Sequence, residues 1–263
     1  MVQGYTMFMV PVNMREDIIN VINLLYFIDM IKLLKKNPLY KWYNAKRIKL
    51  INDRITLRGQ YFFEEGEELL KVFATAMNTS GIFFWLEFGS LLGFYREHDF
   101  IKHDCDIDFG VFLKDAGRVR AALEGVGFKL IHLYQASDGG MEECYKYKHT
   151  SIDVFYFRED RDFLYCNSFM TVSYNYFVDK IIRNKKCFVK RIDIPNQSFT
   201  KTQFKGVDVY VPIDCEKHLK MHYGKDFMIP NSNFNYKTDA TNITYYDYGE
   251  CCGRLKVYGS KYD

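Results

Sequence analysis

What the sequence lacks narrows it before any motif is read. Its seven cysteines are odd in number and include no C-x-x-C pair. That argues against a disulfide framework and for reduced thiols in a cytoplasmic setting, which extends to the inner face of a membrane. Cys251 and Cys252 are neighbours whose side chains point apart, a poor geometry for a bridge. Excess charge is missing too. A formal net charge of +3 gives no basis for a nucleic-acid partner, which calls for a far more basic face, although it suits an anionic substrate or a lipid surface. The N-terminus has no basic region leading into an apolar core and a cleavage site, so no signal peptide is expected. No uninterrupted apolar run of spanning length occurs. Ile18 to Leu34 is broken by Asn20, Asn23 and Asp29 and is shorter than the roughly 20 apolar residues of a span. It is expected to be an amphipathic helix packed on the domain, with peripheral membrane contact through this N-terminal region as the alternative.

Phe and Tyr are plentiful, 23 and 21 residues among 263, and the chain is long enough for one large domain with an appendage. No Gly/Ser/Pro-rich linker divides it. Three regions are expected: a basic helical extension over 1–60, a catalytic domain over 61–230, and a polar, Tyr-rich tail over 231–263. In the first, a helix is predicted from about Arg15 to Lys36, ending before Pro38. The segment Tyr40 to Arg58 then carries Lys41, Lys46, Arg47, Lys49, Arg54 and Arg58, either as a solvated face or as a collar steering an anion toward a cleft.

Glu64 to Thr79 reads as a helix with Leu69, Leu70, Val72, Phe73, Ala76 and Met77 on its apolar face. A strand is predicted over Ile82 to Phe88, then a short helix from Leu91, then a strand through the aspartates of HDCDIDFGV. Asp115 can cap a helix to about Gly125. Lys129 to Gln135, Met141 to His149 and Ile152 to Arg158 read as strands, as do Asp162 to Phe169 and Cys187 to Ile194. Val178 to Arg183 fits a short helix or a strand. Thr200 to Val211 reads as a hairpin turning at Lys205-Gly206, and Asp214 as the cap of a helix from Cys215 to His222 that Gly224 ends. The tail shows little periodicity and reads as irregular. The fold class expected is α/β (α+β), a mixed sheet flanked by helices, with a helical N-terminal extension and a β-rich C-terminal part.

The chemistry concentrates around Asp104, Asp106 and Asp108. Alternate residues of a strand leave on one face, about 6.6 Å apart along the backbone. Like charges so placed repel and raise one another's pKa unless a cation lies among them, and hard oxygen ligands suit Mg2+ or Mn2+. Asp106 and Asp108 are read as ligands, since Asp is depleted in strands and two on one face need a cause. Asp104 is open between a third ligand, an acceptor behind the ligands, and a residue at the strand's mouth. Asp153, in the apolar run SIDVFYF, would be costly to bury unpaired; a functional role stands against a salt bridge to Arg158 or Lys148. Gly89-Ser90 precedes a helix, where glycine lets backbone approach an anion and open N–H groups receive phosphate; Ser90 could equally cap that helix. Arg96 has the planar fork that clamps phosphate, or lies at the surface. His103 is a proton carrier only in the less favoured reading. His218 and His222, at i and i+4, lack the glutamate of H-E-x-x-H and a third ligand, and are assigned to structure.

Gly89-Ser90-Leu91-Leu92-Gly93 with Arg96, then Asp104-Cys105-Asp106-Ile107-Asp108, the Asp153 strand, Val211-Pro212-Ile213, and Tyr223-Gly224-Lys225-Asp226-Phe227 with Pro230 together resemble the LicD/fukutin family. The resemblance implies a nucleotidyltransferase fold. It also implies transfer of a phospho-alcohol group, such as phosphocholine or ribitol phosphate, from a CDP-linked alcohol donor to a hydroxyl of a glycan or glycolipid acceptor. On it, Asp106, Asp108 and Asp153 would be catalytic, with Asp106, Asp108 and Asp104 about the metal and Gly89, Ser90, Arg96, Tyr223 and Asp226 on the substrate. A helix C-cap explains the Tyr223 to Pro230 letters as well. The chain departs from the family at His103, where a Trp is frequent, at Phe227, likewise, and in lacking the cysteine-rich metal loop of some members. Two rivals stand beside this reading: a nucleotidyltransferase releasing pyrophosphate, and a non-catalytic cation- or glycan-binding protein.

Overall fold

The computed structural model describes residues 36–171, 184–231, 233–236, 238–246 and 250–260. The chain divides into two units after Arg54. The predicted helix from Arg15 to Lys36 falls, but for Lys36, outside the described residues, as do the Ile18 to Leu34 segment and Val178 to Arg183. Among the described residues no helix is long and apolar enough to cross a membrane.

The first helix, α1, runs unbroken over Pro38–Thr79. Pro38 has no N–H to leave unsatisfied, and Asn37 Oδ1 accepts the Leu39 N–H at 2.8 Å, a proline-opened, side-chain-capped start. Reading the sequence as a basic stretch and then a separate helix from Glu64 is therefore corrected. Gly59 and the aromatics at 61–63 are poor helix formers, yet each costs only about 1 kcal/mol or less. Burial of Phe62, Leu69, Leu70, Phe73 and Met77 on the same helix contributes about 1.5–3 kcal/mol per side chain, and packing wins.

The second unit continues with β1 (Phe84–Leu86), α2 (Phe88–Glu97), β2 (Asp106–Phe112), a 3-10 turn (Leu113–Asp115), α3 (Ala116–Gly125), β3 (Lys129–Ala136), β4 (Met141–Tyr147), β5 (Thr150–Asp160), β6 (Phe163–Thr171), β7 (Asn184–Pro195), β8 (Phe199–Phe204), β9 (Val207–Pro212), α4 (Cys215–Tyr223), β10 (Ile243–Tyr245) and β11 (Cys252–Val257). Among the described residues nine strands form a mixed sheet in the order β1-β2-β5-β4-β3-β11-β7-β10, with β6 bridging β5 to β7, while β8 and β9 make a separate hairpin. The tail is not irregular throughout. Its β10 pairs with β7, and β11 lies between β3 and β7, because Gly253 and Leu255 bury while Cys252, Arg254 and Lys256 stay exposed, a half-buried strand's alternation.

The strand that matters most is β2, which runs parallel to β5 and antiparallel to β1. Its odd positions, Ile107, Phe109 and Val111, are fully buried in the main core, where Phe109 stacks on Phe73 of α1 at 3.7 Å. Its even positions must then leave on the opposite face. Gly110 lies on that second face because Trp85 of β1 needs the room: a Cβ there would sit 2.1 Å from the indole. Trp85 founds a second buried cluster with Phe88, Phe155, Phe157, Leu164 and Cys166. Packing on the helix side thus fixes which side of the sheet carries the acids.

Candidate active site

The strand registers bring the predicted acids together. Asp108 of β2 is the direct partner of Asp153 of β5, and Asp106 that of Ser151, so the three carboxylates share one face across strands about 4.8 Å apart. The salt-bridge alternatives for Asp153 are taken up elsewhere: Arg158 pairs with Asp138 at 2.8 Å and Lys148 with Glu68 at 2.6 Å.

Helix α2 begins earlier than the sequence suggests, at Phe88, so Gly89 and Ser90 lie inside its first turn. Its cap is Glu87, whose carboxylate accepts the Phe88 N–H at 3.2 Å. Ser90 therefore does not cap the helix. Its hydroxyl oxygen accepts the Asp108 N–H at 2.8 Å, while the Glu87 N–H donates to the Asp108 carbonyl at 3.1 Å, so the turn grips the strand on both sides of the acid. A Cβ on Gly89 would meet Asp104 Oδ2 at 3.0 Å and Asp108 Oδ2 at 3.5 Å. Only glycine lets the turn come this close to both acids.

Asp104 sits just ahead of β2. Burial pushes its carboxyl up to about 7, the charges of Asp106 and Glu97 add to this, and Arg96 opposes it. Arg96 is largely buried: its Nη1 donates to the Phe227 carbonyl at 3.2 Å and its Nη2 to Glu97 at 2.6 Å. It ties α2 to the segment after α4 and lends positive charge to Asp104. Tyr223 closes α4. Burial raises its phenol well above the usual range, and the charges of Asp108, Asp104 and Glu87 raise it further against Arg96, which places the hydroxyl within the field of the acids. Asp226 is exposed in the turn beyond, its carbonyl accepting the Ile229 N–H at 2.9 Å; among the described residues no hydrogen bond or ion pair joins it to the acid row. His103 is exposed.

Two residues of this neighbourhood were not singled out from the sequence as site residues. Glu87, 1% exposed, accepts the Trp85 Nε1–H at 2.6 Å and meets His218 Nε2 at 2.7 Å. Burial raises its pKa, but the charge of His218 and the hydrogen bonds from His218, Trp85 and Phe88 outweigh this and leave the carboxyl below its ordinary value. An acid inside the apolar run FFWLEFG was the signal that could have found it. Arg58 reaches from α1 to Asp106 and Ser151, a contact over 48 residues of chain that no local pattern announces; the sequence marked Arg58 only as one charge of a collar.

His218 and His222, assigned to structure from the sequence, are both buried. His222 is buried against Asn242 Oδ1 at 2.9 Å and the Phe88 ring at 4.8 Å. Burial lowers its pKa to about 4 against the pull of Glu87 and Asn242. A histidine neutral when folded takes up a proton on unfolding below its ordinary value, 6.5. Stability should thus fall as pH drops from about 6.5 toward 4, by a few kcal/mol at most. Urea unfolding across that range should show this slope in the native protein and a flatter one in His222→Gln.

The donor set tests whether a divalent cation suits the face. Its chemistry fits, since carboxylate oxygens on one face are what Mg2+ or Mn2+ takes. Among the described residues, however, no three His, Cys, Asp or Glu side chains are gathered closely enough to hold a metal ion as they lie, and Asp106 is engaged by Arg58.

Residues 81–214 match the model of the LicD/FKTN/FKRP nucleotidyltransferase domain. The chain is 26% identical over 193 residues to the ribitol-5-phosphate transferase FKTN of Homo sapiens, covering 73% of this chain and 39% of that protein. Over a shorter stretch of 41 residues it is 46% identical to the ribitol 5-phosphate transferase FKRP of Homo sapiens, 16% of this chain and 8% of that one. The chain thus spans well under half the length of these curated relatives. Among solved structures, the lincomycin-bound lincosamide antibiotic adenylyltransferase LnuA is similar at a TM-score of 0.36 and 15% identity, over 57% of this chain and 81% of that one.

Proposed function

Given that the chain belongs to the LicD/FKTN/FKRP nucleotidyltransferase-domain family, we propose that it is a phosphotransferase moving a phospho-alcohol group, ribitol phosphate foremost, from a CDP-linked donor to a hydroxyl of a glycan or glycolipid. The observation carrying this reading is the register of Asp108 with Asp153 on adjoining parallel strands, with Gly89 and Ser90 pressed against Asp108. The choice of ribitol follows the two relatives whose names specify it.

Asp106 and Asp108 would hold Mg2+ or Mn2+, which supplies charge neutralisation for the diphosphate and the departing CMP. Asp104 stands beside them, its carboxyl pushed toward neutrality first by burial and then by the charges of Asp106 and Glu97. Asp153 faces Asp108 from β5 and serves as the base: it takes the proton of the acceptor hydroxyl as that oxygen bonds to phosphorus and the bond to CMP breaks. Arg96 supplies positive charge on the α2 side, and Gly89 offers a backbone surface that a phosphoryl group can approach while the buried Ser90 holds the Asp108 backbone in place. Tyr223 closes the far side. In this chemistry positioning and electrostatics do most of the work.

Incubation with CDP-ribitol, CDP-choline, CDP-glycerol and ordinary nucleoside triphosphates, each with a glycan acceptor and Mg2+ or Mn2+, tests the proposal. CMP should be released with a CDP-alcohol and no pyrophosphate with a triphosphate. Pyrophosphate release would instead make the protein a nucleotidyltransferase, and cation-dependent glycan binding without turnover would make it a binding protein.

A further inference from the structure

Arg58 lies outside the segment that matches the family domain, which begins at residue 81, yet it pairs with an acid of the row, Asp106. It stands on α1 within the second unit. One nitrogen, Nη2, has three oxygens about it: Asp106 Oδ2 at 3.1 Å, the Cys105 carbonyl at 3.2 Å and Ser151 Oγ at 3.2 Å. A guanidinium nitrogen carries only two protons, so these three acceptors share it. Carboxylate, carbonyl and hydroxyl around one positive centre is also the oxygen set that a hard metal ion takes. The side chain is 14% exposed and that of Asp106 28%, so water screens the pair only in part.

We propose that Arg58 is a counter-ion that competes with the divalent cation for Asp106 and, when displaced, turns to the phosphate of the donor. This deepens the phosphotransferase reading and rests on it. It accounts for why the acids share a face without three of them closing into a metal cage: Asp106 is drawn to Arg58. An arginine cannot give up its proton, so it leaves a carboxylate only for another anion. A phosphate is the anion that the reaction delivers, and the guanidinium fork suits it. The exchange sets an order in which cation and donor help each other in, because each removes a partner that the other would have to displace.

Removing the charge should therefore move the two ligands in opposite directions. In Arg58→Met, Mn2+ titrated alone, with free ion read by electron paramagnetic resonance, should bind about tenfold more tightly, as loss of a nearby positive charge allows. The KM for CDP-ribitol should rise by about tenfold or more, with the unfolding temperature near that of the native protein. Arg58→Lys, which keeps the charge without the fork, should hold Mn2+ affinity near native while KM stays raised. If Arg58 only clamps β2 to β5, both ligands weaken together, and the proposal falls. Should the native protein bind Mn2+ and Arg58→Met bind it no more tightly, this inference fails while the phosphotransferase reading stands. Absence of Mn2+ binding by the native protein, both alone and with CDP-ribitol present, overturns both. If Arg58→Met does not fold, Arg58→Gln carries the same comparison.

Discussion

Asp108→Asn should reduce CMP release by about 10^2- to 10^3-fold or more, the scale on which loss of one preorganised electrostatic group is felt, while the protein folds as well as before or better. Both halves of that result come from the same geometry. The backbone of residue 108 is held by Ser90 Oγ and by the Glu87 N–H, and neither bond involves the carboxylate, so an amide of the same size leaves the strand in place. The carboxylate itself stands across from Asp153 and near Asp104, whose pKa is raised by burial and by a neighbouring carboxylate. Removing one of several crowded like charges relieves repulsion in the folded state. Asp106→Asn should lose transfer likewise, and it frees Arg58 from one ion pair. Activity assays on variants matched by thermal unfolding decide the matter. Native-level turnover in either variant would show that these acids are not the catalytic pair. A fall in activity that tracks a fall in stability would make them structural.

How much of this could be read from the letters depended on the range of the interaction. The two-residue spacing of Asp106 and Asp108 between Ile107, Phe109 and Val111 is a local pattern, and it located both the strand and its polar face. The partner strand was readable for the same reason, since Asp153 interrupts an otherwise apolar run. That Asp108 and Asp153 stand directly opposite each other was not, because a one-residue slip in register leaves each strand's own pattern intact while moving its side chains to the other face. Arg58 lies further still from what sequence can say: its place follows from the phase of a 42-residue helix that the sequence divided in two. Strands β10 and β11 were missed because the sheet supplies their pairing partners and their own residues declare little. Where the local preference was plain, as at Asp214, which accepts the Lys217 N–H at 2.9 Å at the start of α4, sequence and structure agree.

The largest effect on stability is expected at Glu87, a residue buried beneath the acids. Its carboxylate is the common acceptor for β1 through Trp85, for α2 through the Phe88 N–H and for α4 through His218. Phe88 has a φ of 44°, a left-handed conformation that costs a bulky residue about 1–2 kcal/mol and is held by that bond and by the Phe155 ring at 4.7 Å. In Glu87→Ala the buried donors lose their acceptor together. Leaving buried donors unsatisfied costs about 1–3 kcal/mol each, several kcal/mol together, which for a domain of this size lowers the unfolding temperature by roughly 10 °C. Glu87→Gln keeps an acceptor without the charge and should fall between the two. The folded carboxyl lies below its ordinary value of 4.5, so its charge contributes stability that is whole above that pH and disappears as pH falls through the depressed value. The gap between the native protein and Glu87→Gln should accordingly narrow on acidification below about 4.5, whereas the His222 slope develops at higher pH. Because α2 carries Gly89 and Ser90 and α4 ends in Tyr223, loosening their shared anchor should also lower kcat in Glu87→Gln at temperatures where the variant is fully folded. Glu87→Ala unfolding at the native temperature, or Glu87→Gln turning over at the native rate, would show that the network beneath the site does not position it.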